Sequence, residues 1–487
     1  MNSNLVFFII AAYFVMLVAV SFYTARGADT HAFFTANKRS PWWLVAFGMI
    51  GTSISGVTFI SVPGAVGSGQ FSYFQFVLGN LFGYLVIATV LLPMYYRLNL
   101  ISIYTYLEKR FGFWSYKTGA FFFIVSRTVG AAFRLFLAAA VLQIGLFDEW
   151  GVPFEVNVLI TIVLIWLITF KGGVKTIIWT DSLQTVFLVS AVIISVFLIG
   201  RELGLSAGGL VDTVRESNYA RVFFLDDPRD SKYFFKQFFA GVFIAIAMTG
   251  LDQDLMQKNL TCKNLGEAQK NMFSFCLVFV FVNLLFLTLG ALLYLYAQRE
   301  GIALPERSDY LFPTLALKYF GLLAGISFLL GIIAASYASA DSALAALTTS
   351  FCIDVLEFGK RPEAERQRLK TIVHVGFSVL LFVVILIFKA INNQSVVSAV
   401  FTAAGYTYGP LLGLYAFGLF TKLAVRDHLV PFICLASPLL CYVINVHSRE
   451  WLNGYQFGFE LLILNGVLTF AGLLAISQRR MVAEVAK

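Results

Sequence analysis

Long apolar runs, separated by short charged or turn-forming stretches, make up most of the chain. A run of about twenty apolar residues is long enough to cross the hydrocarbon core of a bilayer as a helix. The run at 318–353 is longer than a bilayer needs, so we expect it to tilt, bend or extend beyond the membrane. The pattern therefore predicts an all-α polytopic membrane protein. About thirteen spans are expected, near 3–23, 43–65, 73–96, 118–146, 154–170, 176–200, 235–256, 272–298, 318–353, 371–390, 397–420, 428–446 and 456–477.

Composition favours the same class of protein. Hydrophobic residues make up 59% of the chain and charged residues 13%, and a soluble fold has too little interior to bury so much apolar surface. The first run has no lysine or arginine before Arg26 and no small-residue cleavage site, so we expect a retained span and not a secretory signal. Five cysteines, mostly in apolar surroundings, predict neither a disulfide framework nor a metal site.

Basic residues collect in alternate connections between the spans. The positive-inside rule makes these connections cytoplasmic, which predicts an N-terminus outside and a C-terminus inside. The formal net charge of +8 then follows from topology and anionic lipid headgroups, and it does not indicate a nucleic-acid partner. The basic clusters are Arg26, Lys38 and Arg39; Arg97, Lys109, Arg110 and Lys117; Lys171 and Lys175; Lys258, Lys263 and Lys270; Lys360, Arg361, Arg366, Arg368 and Lys370; Lys422 and Arg426; and Arg479, Arg480 and Lys487.

The sequence GTSISGVTF at 51–59 places small and hydroxyl residues inside the second span. Glycine in a helix interior costs about 1 kcal/mol relative to alanine, so we predict a local break of the helix here. A break frees backbone carbonyls, such as those of Gly51 and Ile54, to coordinate a cation. The hydroxyls of Ser53, Ser55 and Thr58 would then face a solute. The alternative is that these small residues only let helices pack closely.

A second polar stretch, ASYASADSALAALTTS at 335–350, contains an acid deep in an apolar span. Helical spacing places Ala335, Ser339 and Ser342 on one face, with Asp341 beside it. An intramembrane carboxylate needs a cation, a proton or a partner. Hard oxygen ligands of this kind favour a small hard cation such as Na⁺. The alternative is a lone aspartate that caps a helix break.

Other charged residues also fall inside predicted spans. Asp181 lies near the start of the sixth span, where it is either a site residue or a hydrated residue at the membrane edge. Arg127 and Arg134 are seven residues apart and share a helix face. They are expected to pair with Asp181 or Asp341, or to hold an anionic substrate. The sequence Asp-Gln-Asp at 252–254 lies at a predicted helix end. Two roles are considered for these residues, a helix cap and part of a gate.

Several function classes lack their residues in this sequence. It contains no Walker A sequence, no HExxH, no GxSxG and no cysteine–histidine metal spacing, which argues against an ATP-driven pump and against a hydrolase. A channel is disfavoured because no repeated filter sequence or acidic ring is present. We therefore predict a secondary active transporter and not an enzyme.

Over nearly its full length the chain resembles the sodium:solute symporter family. The resemblance implies one transporter domain over 1–487, with inverted five-helix repeats of the leucine-transporter type at 43–200 and 235–420. An extra span at 3–23 precedes the repeats, and two spans at 428–477 follow them. The segments that carry the resemblance are GTSISGVTFISVPG at 51–64, YLEKRFG at 106–112, GGVKTIIWTDSLQ at 172–184, DQDLMQKNL at 252–260 and SADSALAALTTSFCIDVL at 339–356.

The resemblance also implies sodium sites. The family's principal site maps onto the carbonyls of Gly51, Ile54 and Ala335 and the hydroxyl of Ser339. Its remaining ligand position is Ala338, where the family commonly has a hydroxyl. A second site, described in sialic acid symporters, maps onto Asp181, Ala338, Asp341 and Ser342. We hypothesise that Asp341 compensates for Ala338 by charge and forms a two-carboxylate site with Asp181.

The first broken segment most resembles that of bacterial sialic acid symporters. Their hydroxyl ligands map onto Ser53, Ser55 and Thr58, and their contacts in the next span map onto Phe76 and Asn80. Arg127 and Arg134 lie one turn before and one turn after the expected carboxylate-binding arginine.

These observations predict a Na⁺-coupled symporter that imports a sugar or a sugar acid by alternating access. It would act as a multi-pass monomer in the cell inner membrane, with Na⁺, a small solute and the lipid bilayer as its partners. One alternative is a proton-coupled transporter of the same fold, with Asp341 protonated. Another is sodium symport of an amino acid, a polyol or a monocarboxylate. A third is a non-transporting sensor or channel.

Overall fold

The computed structural model describes residues 3–26, 30–170, 173–391 and 396–481. Lys171 and Lys487, which belong to two of the basic clusters, lie outside these ranges. The described chain is mainly helical. Its helices are α1 Ser3–Thr24, α2 Thr30–Thr35, α3 Trp42–Ser53, α4 Gly56–Gly69, α5 Tyr73–Val86, α6 Leu92–Arg97, α7 Thr105–Arg110, α8 Phe113–Leu142, α9 Phe154–Thr169, α10 Val174–Glu202, α11 Ala207–Glu216, α12 Phe234–Ala245, α13 Gln253–Asn259, α14 Leu265–Arg299, α15 Leu311–Lys318, α16 Gly321–Ser350, α17 Glu363–Ile391, α18 Val396–Thr407, α19 Gly409–Phe420, α20 Val430–Val446, α21 Ser448–Trp451 and α22 Leu461–Ala475.

Several long helices continue through π-helical turns. These turns are Ile87–Leu91, which joins α5 to α6, Gln143–Phe147 after α8, Ile246–Gly250 after α12 and Phe351–Val355 after α16. Short 3-10 turns lie at Ala36–Lys38, Ser308–Tyr310, Phe358–Lys360 and Asp427–Leu429.

The described residues contain 8 helices long and apolar enough to cross a membrane, or up to 10 if each of two bent helix pairs counts as one span. This confirms the predicted helical, many-span class. Shorter apolar helices lie where three further spans were predicted, namely α9, the pair α18 and α19, and α22. The run expected at 318–353 forms one helical stretch over Gly321–Val355, 35 residues long, which at 1.5 Å per residue exceeds the thickness of a bilayer core.

The break predicted in the second span is confirmed. Helix α3 ends at Ser53, α4 begins at Gly56, and the two helices are bent by 58°. Ile54 and Ser55 between them have non-helical backbone angles. The last carbonyls of α3 and the first N–H groups of α4 therefore lack partners within their own helices.

A second break was not predicted. The hydrophobic pattern predicts one span over 235–256, but the helical stretch from Phe234 ends at Gly250 and α13 begins at Gln253, with a bend of 69°. Apolar residues continue up to the bend, so the hydrophobic pattern alone does not reveal it. Asp252 caps α13, because its side chain accepts the N–H of Asp254 at 2.9 Å.

Two glycines let the first bent pair approach its neighbours. A Cβ on Gly51 would lie 2.4 Å from the hydroxyl of Thr185 on α10, and a Cβ on Gly56 would lie 2.0 Å from the hydroxyl of Ser336 on α16. Both distances are shorter than a normal contact, so only glycine fits without a shift. Helix α16 is the most enclosed of the long helices, because 72% of an apolar stretch of 18 residues in its span is buried inside the protein.

The described strands form one small antiparallel sheet near the end of the chain. Strand β1 Leu423–Val425 pairs with β2 Ser477–Met481. Leu423 is opposite Met481, Ala424 opposite Gln478 and Val425 opposite Ser477, with an irregularity after Leu423. The sheet joins the end of α19 to the end of α22. All five cysteines are free and buried.

Candidate functional site

A cavity that is partly open to solvent lies beside the first helix break, with about 730 Å³ of space not occupied by protein atoms. Its wall combines polar residues from α3, α4 and α8 with aromatic and aliphatic residues from α5, α12, α14 and α18. All the residues predicted to contact a solute line it, namely Ser53, Ser55, Thr58, Phe76, Asn80, Arg127 and Arg134. The fold thus brings together side chains that are spread over about eighty positions of sequence. Their contact with a solute stays a prediction.

The two arginines in this wall have different surroundings. Arg127 is buried, its Nη2 donates to Asp254 Oδ2, and its Nη1 lies 3.8 Å from Asp252 Oδ2. The structure therefore pairs Arg127 with the acids of the second helix break and not with Asp181 or Asp341. Its positive charge is compensated within the protein.

Arg134 has no carboxylate within ion-pair distance among the residues that the structure describes. Its Nη1 donates to the hydroxyl of Ser339 at 3.3 Å, and its buried Nε lacks a hydrogen-bond partner. A guanidinium in such a place retains an uncompensated charge, which is costly in a low-dielectric interior. The cavity therefore presents one guanidinium that is available to an anion.

Asp254 connects the cavity to helix α16. Its Oδ2 accepts from Arg127 and its Oδ1 accepts from the hydroxyl of Ser342. Asp252, the neighbouring cap, accepts from the hydroxyl of Tyr408 at 2.5 Å. Of the two roles left open for Asp252, the structure shows capping. The acids of the second break thus connect α8, α16 and the junction between α18 and α19 to the start of α13.

Asp181 is completely buried and so is not a hydrated residue at the membrane edge. The hydroxyl of Thr52 donates to its Oδ2 at 2.9 Å, and the ammonium of Lys258 lies 2.5 Å from the same oxygen. Lys258 was predicted to lie in a cytoplasmic connection, but it is 1% exposed. The unpredicted second bend explains the difference, because it directs α13 into the protein.

The model of the sodium:solute symporter family matches residues 33–427, which is most of the chain. The chain belongs to this family. As a family member it is a secondary transporter that couples solute movement to sodium, and not an enzyme.

Individual relatives agree with this assignment. The chain is 27% identical to the sodium/sialic acid symporter NanT of Aliivibrio fischeri, over 94% of this chain and 91% of that one. It is 25% identical to the human sodium/iodide cotransporter over 81% of this chain, and it spans 62% of that protein's length. The structure of a Na⁺-coupled sialic acid symporter in its substrate-bound outward-open state superposes with a TM-score of 0.82 at 17% identity, covering 98% of this chain and 99% of that one. The two proteins have the same fold.

In the present chain, the predicted principal sodium site lies where α3 meets α16. A Cβ on Gly51 would be 3.6 Å from the Cβ of Ala338, and the hydroxyl of Thr52 lies 3.5 Å from the carbonyl oxygen of Ala338. Ser339, also on α16, accepts from Arg134, which lines the cavity. The ligand roles of Gly51, Ile54, Ala335 and Ser339 stay predictions.

The predicted second sodium site contains buried oxygens that have no hydrogen-bond partner in the described chain. They are Asp181 Oδ1 and Asp341 Oδ2. Asp341 Oδ1 accepts the backbone N–H of Ser342 at 2.6 Å. The charges of Asp181 and Lys258 both act on Asp341, so the two carboxylates and the ammonium share one electrostatic environment. The sequence predicts the carboxylates of this site, Asp181 and Asp341, but it does not predict that Lys258 lies beside them.

Proposed function

We propose that this chain imports a small anionic sugar acid, of the sialic acid class, together with sodium. Arg134 carries the proposal, because it places a positive charge without a carboxylate partner in the wall of the cavity. A guanidinium binds a carboxylate through two parallel hydrogen bonds. An anionic solute would supply the negative countercharge that Arg134 lacks among the described residues.

The rest of the cavity suits a polyhydroxylated solute. Ser53 has a buried hydroxyl without a partner, and the Oδ1 of Asn80 is likewise unpaired in the described chain. Each is a hydrogen-bonding group that a sugar hydroxyl would satisfy. Phe76, which stacks on Tyr73, offers an apolar surface for the ring. The solutes named for two relatives, sialic acid and iodide, are both anions, which supports an anionic solute here.

The proposed architecture has thirteen membrane spans, with the N-terminus outside and the C-terminus inside a bacterial inner membrane. The first five-helix repeat extends from α3 to α10 and the second from α12 to α19. In support, each proposed repeat begins with one of the two bent helix pairs. A single chain contains both the cavity and the buried carboxylates, which favours a functional monomer.

Transport would follow alternating access around the two bends. Sodium would bind at the end of α3 and beside α16 and favour the form that accepts the solute from outside. One sodium ion that moves inward through a potential of 100 mV supplies about 2.3 kcal/mol. An anionic solute that moves inward with this ion costs the same electrical energy, so the potential drives its accumulation only through sodium ions beyond the first, each worth roughly 50-fold.

A proton-coupled transporter of the same fold is the second candidate. Its support is the unpaired Oδ2 of Asp341, which holds a proton as readily as it contacts a sodium ion. The two candidates differ in whether uptake follows sodium or pH.

The test is uptake into proteoliposomes that contain the purified protein. Labelled sialic acid, galactose, myo-inositol and proline would be compared under an inward sodium gradient, a matched potassium gradient and an acid-outside pH gradient. We expect accumulation of sialic acid that requires sodium. Accumulation of only a neutral solute would contradict the proposed substrate class, and uptake that follows the pH gradient without sodium would contradict sodium coupling.

A matched pair of variants tests the role of Arg134. Arg134→Gln removes the charge, and we expect the sialic acid concentration at half-maximal uptake to rise about 10- to 100-fold, the range for loss of a charged hydrogen bond. Arg134→Lys keeps the charge but loses the planar fork, and we expect a smaller rise. Equal kinetics for wild type and Arg134→Gln would show that this guanidinium does not bind the anion.

A further inference from the structure

Lys258 is a buried lysine whose ammonium contacts Asp181, a residue of the predicted second sodium site. It lies 2.5 Å from Asp181 Oδ2 and also donates to the hydroxyl of Thr52. That hydroxyl donates in turn to Asp181 Oδ2 at 2.9 Å. Lys258, Asp181 and Thr52 therefore form a closed ring of hydrogen bonds, and all three are buried.

The ammonium supplies at this carboxylate the positive charge that a bound sodium ion would supply. A carboxylate oxygen and a hydroxyl are the hard oxygen ligands that small hard cations prefer. Here Lys258 Nζ contacts both of them. Asp181 is thereby neutralised by a group that belongs to the protein and that cannot be transported.

Asp341 carries the negative charge that remains after this pairing, although Asp181 Oδ1 also has no hydrogen-bond partner in the described chain. The Oδ1 of Asp341 accepts one backbone N–H, while its Oδ2 is buried and has no hydrogen-bond partner in the described chain. Two carboxylates and one ammonium leave a formal charge of one negative unit. The nearby Arg127, which also acts on Lys258, is already paired with Asp254 and does not change this balance.

We propose that the ammonium of Lys258 is a built-in monovalent cation, which holds the place at Asp181 that sodium would otherwise take and leaves Asp341 as the carboxylate of this site open to one transported cation. Its position depends on α13, the helix that follows the second bend and packs against α3, α10 and α16. The inference rests on the proposed sodium coupling, but its test counts bound sodium without any solute.

The experiment is saturation binding of radioactive sodium to the purified full-length protein in detergent, with choline chloride to hold ionic strength constant. Lys258→Gln removes the built-in cation, and we expect it to bind one more sodium ion per chain than wild type. Lys258→Arg keeps a cation at this position, and we expect it to bind the same number as wild type. An unchanged number of sodium ions in a monodisperse Lys258→Gln protein would overturn the inference.

The double variant Asp181→Asn/Lys258→Gln keeps the inference testable if Lys258→Gln does not fold, because it removes both charges of the pair while keeping similar shapes. We expect the double variant to bind the same number of sodium ions as wild type. One fewer ion than wild type would mean that sodium already occupies Asp181, which overturns the inference.

The outcome also separates this inference from the proposed function. If wild type binds no sodium and Lys258→Gln binds one ion, sodium coupling fails but the role of Lys258 stands. If wild type binds sodium and Lys258→Gln gains no ion, the role of Lys258 fails and sodium coupling stands.

Discussion

The two helix breaks of this transporter carry opposite kinds of polar group. The first break, between α3 and α4, presents neutral oxygens, including the buried and unpaired hydroxyl of Ser53. The second break, before α13, presents charged groups, and Asp254 and Lys258 both have ionic partners within the protein. Neutral groups without partners are available to ligands, whereas paired charges hold helices in place. We infer that the first break binds the transported solute. The paired charges of the second break fix the position of α13 relative to α8, α10 and α16.

The strongest way to test this contrast is to remove a charge at the second break. Asp254→Asn abolishes the ion pair with Arg127 and leaves a buried guanidinium with only Asp252 at 3.8 Å. Breaking one partner of a buried pair costs about 3–5 kcal/mol. We therefore expect a clear fall in the thermal unfolding midpoint of the purified protein and loss of sodium-driven uptake.

An exposed ion pair supplies the matched control. Lys389 and Glu155 are 3.0 Å apart, with 43% and 51% of their side chains exposed. Such pairs contribute about 0–1 kcal/mol, so Glu155→Gln should leave the unfolding midpoint close to that of wild type. If Asp254→Asn unfolds no earlier than Glu155→Gln, the second break does not depend on its buried charges.

The same contrast explains what the sequence could predict. Glycines and hydroxyls within an apolar run are a local signal, and they correctly indicated the first break, beside which Ser53, Ser55 and Thr58 line the cavity. The partners at the second break are far apart in sequence. Asp181 and Lys258 are separated by 77 positions and Arg127 and Asp254 by 127, so no local pattern joins them.

Lys258 was misplaced for a physical reason. The positive-inside rule assigns a lysine near a span end to the cytoplasmic connection. A bend of 69° that the hydrophobic pattern does not show instead turns its helix into the protein. Placing Lys258 correctly would require knowing that Asp181, a buried carboxylate on α10, faces α13.

The first break depends on close packing and not on charge, so a methyl group should disturb it. Gly56→Ala places a Cβ 2.0 Å from the hydroxyl of Ser336. Overpacking of this kind costs about 1–3 kcal/mol, and we expect a lower unfolding midpoint and slower uptake. Ser336→Ala removes the oxygen that clashes, so the double variant Gly56→Ala/Ser336→Ala should recover much of the stability. Failure of the double variant to recover would mean that the backbone of Gly56 itself is required.

The smallest expected effect concerns the missing hydroxyl beside the first break. Ala338→Ser would add an oxygen on α16 at a position that faces Gly51 of α3. If the carbonyls of α3 hold sodium, this oxygen supplies a further ligand, and an added hydrogen-bond-like contact of about 0.5–1.5 kcal/mol lowers the half-saturating sodium concentration roughly two- to tenfold. Ala338→Val adds more bulk and no oxygen, and we expect it to raise that concentration. The measurement is solute uptake at graded sodium concentrations. Equal shifts in both variants would mean that only volume matters at this position and would remove the support for a sodium site at the end of α3.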